Sequence, residues 1–291
     1  MNNFVDTHIP EAAHPPREAS IGRLLLDMGK ITPENAERVL RLQKEQNLRF
    51  GDAAQKLGLI TEADIKQVLS LQFDYPYLQP GQGNFAPELV AAYQPFSSQV
   101  EGLRALRSQL MLRWFNEGDK ALAIISPNPN EGCSYLAANL AVVFSQLGER
   151  TLLVDANMRS ARQSKVFNLK ETRGLSDILV GRAGIEVVTR IDSFIGLSVL
   201  GAGTTPPNPQ ELLGRSSFTH FMNQAIVNYD VIIVDTPPAL NTSDAQAIAA
   251  RCGGALLVSR LNHTPLSDLA NIRDQIKVTG VRIVGAVLND F

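Results

Sequence analysis

Three places in the chain carry residues suited to a phosphorylated ligand. An apolar run, ALAIIS from Ala121 to Ser126, stops at a Pro/Asn/Gly loop and restarts as a helical pattern at Cys133. Such a junction suits phosphate, because loop and first-turn N–H groups have no backbone partners and the helix dipole favours negative charge there. Main-chain donors of Asn130, Glu131, Gly132, Cys133 and Ser134 would form the cradle, with the Ser134 hydroxyl placed for a divalent cation. Two carboxylates, Asp155 and Asp235, each end an apolar run, TLLVD and VIIVD. Alone, either reads equally well as a turn or cap residue. Together with the loop they place three candidate strand ends on one crevice.

Those residues need a scaffold that gathers strand ends. From Ala121 onward apolar runs alternate with helix-like segments: TLLVD, LSVLG (197 to 201), VIIVD, ALLVSR (255 to 260) and RIVGAVLND (282 to 290). Continuously apolar strands are covered on both faces, so the expected fold is α/β, a doubly wound, mostly parallel sheet. Ligands of such sheets sit beyond the carboxyl ends of the strands, where all three places fall. The loop meets the pattern G-x-x-x-x-G-K-[ST] only in part: Gly132 and Ser134 match, Pro127 stands at the first glycine and Cys133 at the lysine.

Beyond the loop, LLVDANMR (152 to 159) resembles the pattern D-x-D-x-R, with Asp155 and Arg159 kept and Asn157 at the second aspartate; IIVDTP (232 to 237) matches a Walker B run. With GLSDIL, PPNPQELL and SDA (243 to 245), these resemble the cytoplasmic P-loop domains of bacterial tyrosine kinases, relatives of the MinD/ParA ATPases. The resemblance covers about residues 97 to 291. It implies ATP and Mg²⁺ as cofactors, the metal held by Ser134 and Asp235, Asp155 as base or metal-orienting carboxylate, and Arg159 in the nucleotide site. With the repeat domain described below, the whole chain resembles the EpsG type, the chain-length-determinant tyrosine kinases of exopolysaccharide loci. That implies a membrane polysaccharide co-polymerase as partner, through its cytoplasmic tail.

Without the loop lysine two readings stand: a kinase whose cation comes from Arg104, Arg107 or Arg159, and a catalytically impaired pseudokinase adaptor. Phosphoryl transfer is mostly charge positioning, so the missing cation bears on catalysis more than on binding. No tyrosine follows Tyr229, which leaves Tyr75, Tyr77, Tyr93, Tyr135 or tyrosines of a partner as acceptors. Glu101, Arg104 and Arg107 open an amphipathic helix with Leu103, Leu106, Leu110 and Trp114 on one face. Their E-x-x-R-x-x-R spacing resembles the oligomerisation motif of the same kinases, implying a homo-oligomer. That helix disfavours a partitioning ATPase of the MinD kind.

The N-terminal part is an internal repeat. Ser20 to Gln43 aligns on Arg49 to Gln72 at a constant offset of 29 residues, pairing Gly22 with Gly51, Gly29 with Gly58 and Thr32 with Thr61. Each copy reads as helix, glycine stop, threonine cap, helix. Neither copy can bury an apolar face alone, so the two are expected to form one small all-helical domain. The blocks resemble the MshEN domains of secretion and pilus ATPases, several of which bind cyclic di-GMP; that implies Gly22, Arg49 and Gly51 as its site. Block one has Ser20 where the family has arginine, and a serine cannot stack on a base or fork to guanine. A protein-docking module is the alternative.

Composition bounds the rest. A net charge of −2 over 291 residues argues against a nucleic-acid partner. Two cysteines give no disulfide framework, and neither a signal peptide nor an apolar run of spanning length is apparent. A cytoplasmic location follows, with the membrane reached only through a partner. The expected organisation is a tail (1 to 18), the repeat domain (19 to 78), a Pro/Gly/Gln-rich linker (79 to 96) and the α/β domain (97 to 291).

Overall fold

The computed structural model describes residues 20 to 72, 78 and 82 to 290. The expected tail and the tyrosines Tyr75 and Tyr77 lie outside them. The chain divides into two compact units, Met1–Pro76 and Tyr77–Phe291.

The first unit is helical: α1 (Ile21–Asp27), α2 (Pro33–Gln46), α3 (Phe50–Lys56) and α4 (Glu62–Gln72). The repeat is visible in its turns. Gly29 and Gly58 take the left-handed conformation at φ +65° and +66°, stopping α1 and α3 at equivalent places. Thr32 Oγ1 accepts from the Asn35 N–H at 3.2 Å, and Thr61 Oγ1 accepts from the Asp64 N–H at 3.2 Å. The core is shared by equivalent positions of the two copies: Leu24 and Ala53, Leu25 and Ala54, Ile31 and Ile60, Val39 and Val68. That is why one copy alone would leave half a core exposed.

The second unit opens with α5 (Val90–Tyr93) and α6 (Ser98–Arg113), followed by β1 (Ala121–Ile125), α7 (Cys133–Ser145) and β2 (Thr151–Asp155). Short helices α8 (Gln163–Val166) and α9 (Leu175–Leu179) lead to β3 (Thr189–Arg190) and β4 (Leu197–Leu200). Then come α10 (Pro209–Gly214), α11 (Ser216–Asn228), β5 (Val231–Asp235), α12 (Asp244–Cys252), β6 (Gly254–Arg260), α13 (Leu266–Val278) and β7 (Arg282–Asn289). The strands form one sheet in the order β3-β4-β2-β5-β1-β6-β7, parallel except for the β3–β4 pair.

Alternate residues of each strand feed opposite faces, which explains the continuous apolar runs. Leu122 and Ile124 pack with α5, α6 and α7, whereas Ala121, Ala123 and Ile125 pack with α11, α12 and α13. The stretch from 79 to 96, expected as a linker, differs where it is described. Leu89, Val90, Ala91 and Ala92 are buried in the core above α7, and the Ala91 N–H donates to Asn139 Oδ1 at 2.9 Å. A four-residue apolar patch is too short to announce itself between prolines and glycines.

Candidate functional site

Sheet order brings the three places together. β5 lies between β1 and β2, and Asp155 and Asp235 are register partners at the ends of β2 and β5. Both carboxylates are fully buried. The loop after β1 wraps over the end of β5: Thr236 Oγ1 donates to the Ile124 carbonyl at 2.8 Å, and the Ala239 N–H to the Ser126 carbonyl at 2.9 Å.

The loop is held from within. The Glu131 carboxylate is buried and accepts from the Asn128 N–H at 2.8 Å and from Thr264 Oγ1 at 2.6 Å, while Asn289 Nδ2 donates to the Glu131 carbonyl at 2.9 Å. With its charge spent on bracing, Glu131 offers a ligand only its N–H. Asn130 and Gly132 adopt left-handed backbone conformations at φ 63° and 90°, turning successive N–H groups to one side. Among the described residues no protein acceptor meets the main-chain N–H groups of Asn130 to Ser134. They face a cavity of about 400 Å³, whose wall includes Gly132, Ser134, Asn157, Arg162, Thr236 and Arg260.

Asp155 is set by the loop after β2. Its Oδ2 accepts from the N–H groups of Arg162 at 2.8 Å and Gln163 at 2.9 Å, and its Oδ1 from the Asn157 N–H at 3.2 Å. Burial, then the neighbouring Asp235 charge, pushes its carboxyl up to about 7, against those three donors. Burial also raises Asp235, opposed first by the hydrogen bond that its Oδ2 accepts from Gln163 Nε2. Asp235 Oδ1 is buried without a partner. A buried carboxylate oxygen left open beside the Ser134 side chain fits a hydrated divalent cation. Among the described residues no group of three or more His, Cys, Asp or Glu is placed to hold a metal.

Cys133 turns inward. Its Sγ donates to the Ile124 carbonyl at 3.0 Å, and burial, reinforced by Asp235, pushes its thiol far up, so it is a neutral thiol and not a thiolate. The arginines that the sequence offers as substitute cations are engaged elsewhere: Arg159 Nε with Asp244 Oδ2 at 2.8 Å, Arg104 with Glu101, and Arg107 with the Val143 carbonyl at 2.7 Å. Arg162 and Arg260 stand on the cavity wall instead, Arg162 paired with Glu88 at 3.0 Å and Arg260 Nη1 on the Asn130 carbonyl at 3.3 Å. Neither lies in a pattern that sequence alone would single out.

Glu101, Arg104 and Arg107 lie in α6, where Leu103 and Leu110 are buried, as is Trp114 just past its end. Tyr135 lines the cavity with its hydroxyl unpartnered, whereas the Tyr93 hydroxyl is tied to the Gln82 carbonyl at 2.9 Å. In the helical unit Arg49 is exposed at the start of α3. A Cβ on Gly22 would stand 3.0 Å from the Phe50 ring, and one on Gly51 3.1 Å from Ile65 Cδ1, so both glycines also serve close helix packing. Among the described residues no helix is long and apolar enough to cross a membrane.

A P-loop α/β domain with these strand-end carboxylates defines the class, and sequence comparison gives the family. No family model matches the chain. CapB of Staphylococcus aureus is 34% identical over 196 residues, 67% of this chain and 86% of CapB. The chain belongs to the bacterial tyrosine-protein kinase family. It is 33% identical over 201 residues to the protein of the cps region of Klebsiella pneumoniae, but spans only 28% of that protein's length. Among solved structures, the kinase domain of the Escherichia coli tyrosine kinase ETK superposes with a TM-score of 0.67 at 32% identity, over 69% of this chain and 79% of that one. MinD of Pyrococcus horikoshii, solved with Mg-ADP, shares the fold at a TM-score of 0.52 and 24% identity, over 59% of this chain and 70% of that one.

Proposed function

We propose that this chain is the cytoplasmic, ATP-binding tyrosine-kinase-like component of an exopolysaccharide chain-length system, working on the tail of a membrane co-polymerase. The observation that carries the reading is the juxtaposition of Asp155 and Asp235 behind a loop whose N–H groups of Asn130 to Ser134 have no protein partner. In this reading those N–H groups hold the phosphates and Ser134 and Asp235 hold Mg²⁺, which supplies Lewis-acid neutralisation of developing phosphate charge. Asp155, with its raised pKa, takes a proton near neutral pH or orients the metal's water. Arg162 and Arg260 supply the positive charge that the loop lacks, and the helix bearing Glu101, Arg104 and Arg107 joins copies of the chain into an oligomer.

The inward, neutral Cys133 favours a second reading, a pseudokinase that binds nucleotide weakly and acts as an adaptor. In either case the helical unit is read as a regulatory module: a protein-docking surface, or a cyclic di-GMP sensor with its site at Gly22, Arg49 and Gly51, which calorimetry of the full chain with the dinucleotide separates. Phosphotyrosine blotting and ATP hydrolysis, with and without the partner's tail, separate the readings. The kinase reading predicts activity that Asp235→Ala abolishes; tail-independent silence of the wild type selects the adaptor. Activity that survives Asp235→Ala would remove this metal assignment altogether.

A further inference from the structure

Gln163 holds three parts of the site at once. Its main-chain N–H donates to Asp155, and its side-chain Nε2 donates to Asp235 Oδ2 at 2.7 Å and to the Ser134 carbonyl at 3.1 Å. It is fully buried, as are both aspartates. One side chain therefore ties the loop after β2 to the end of β5 and the first turn of α7.

A glutamine present only for packing would have both ends of its amide satisfied, because a buried acceptor without a donor is costly. Here the donor end is doubly used and the acceptor end is not. Gln163 Oε1 is buried without a partner, and so is Oδ1 of the aspartate it binds. Both atoms are acceptors of the hard oxygen type that suits a hydrated divalent cation. By engaging Oδ2, the amide also decides which oxygen of Asp235 stays open.

Resting on the reading of this crevice as a magnesium-nucleotide site, the geometry points to Gln163 as a positioning residue for the metal. Nε2 orients the Asp235 carboxylate so that Oδ1 faces the cation, and Oε1 accepts a hydrogen bond from a water in its shell. Removing an outer-shell partner of this kind typically weakens metal binding about 10- to 100-fold.

The donor and acceptor roles are separable. Gln163→Met removes both, while Gln163→Glu loses the donor but keeps, and charges, the acceptor. Mn²⁺ titrations of the full chain at pH 8, followed by the electron-spin resonance of the free ion with and without ADP, read metal affinity directly. Circular dichroism melts confirm that each variant is folded. The expected result is Mn²⁺ binding at least about tenfold weaker in Gln163→Met, with Gln163→Glu weakened clearly less because it loses the donor but keeps the acceptor. Equal weakening in both variants would reduce Gln163 to a structural donor, and unchanged or tighter binding in Gln163→Met would make it a plug; either overturns the inference alone. A folded wild type that takes up neither Mn²⁺ nor ADP would overturn the nucleotide reading along with it.

Discussion

Cys133→Lys restores a cation to a loop that has lost one, and the structure sets what to expect. The thiol fills a slot under the Ile124 carbonyl, 3.0 Å away, and Cys133 also borders the cavity. A lysine stem is too long for that slot, so its ammonium must emerge into the cavity, beside the unpartnered N–H groups of the loop. One charge-assisted hydrogen bond to phosphate contributes about 1.5 to 3 kcal/mol. At about 1.36 kcal/mol per decade, that is a gain of roughly 10- to 150-fold in MgATP affinity. A preorganised donor at the transferred group adds about 10² to 10³ in rate, so turnover should rise as well. Calorimetric titration of MgATP into wild type, Cys133→Lys and the uncharged size control Cys133→Met measures the first, and phosphate release the second. Equal affinity in all three proteins would refute the argument that the cation's absence limits this site.

Two further outcomes follow from the buried groups. The folded protein keeps a proton on Asp155 up to about pH 7, whereas an unfolded aspartate loses it near pH 4. Without metal, unfolding free energy should therefore fall as pH rises from about 4 to 7 and level off above, and Asp155→Asn should flatten that slope in melts taken at pH 5, 6, 7 and 8. Gly254→Ala would place a Cβ 2.3 Å from the buried Trp114 ring, whose Nε1 is anchored on the Ala121 carbonyl at 3.1 Å. Overpacking of this kind costs about 1 to 3 kcal/mol, so the midpoint should drop by roughly 2 to 12 °C, with partial recovery on adding Trp114→Phe.

The scaffold was largely legible because its signals are local and repeated. Six apolar runs and a 29-residue offset announce the parallel strands and the paired helical copies before any contact is known. β3 escaped notice, since two residues pairing antiparallel with β4 leave no periodic trace. Within the site, Gly132, Ser134, Asp155 and Asp235 stand out because strand ends and loops mark them. Gln163, Arg162 and Arg260 do not, being ordinary polar residues whose roles exist only once the loop after β2 folds back and β6 lies beside β1. The pairing of Arg159 with Asp244 is hidden for the same reason, since the two lie 85 positions apart along the chain.

The central claim is that the loop's N–H groups receive the phosphates of a magnesium nucleotide. Hydrogen–deuterium exchange of the full chain with and without saturating MgADP tests it amide by amide. Slowed exchange confined to the loop and first turn of α7, residues 128 to 136, with a smaller effect at the ends of β2 and β5, is the result this account predicts. Nucleotide binding that leaves those amides unprotected, or protects another region instead, would contradict it.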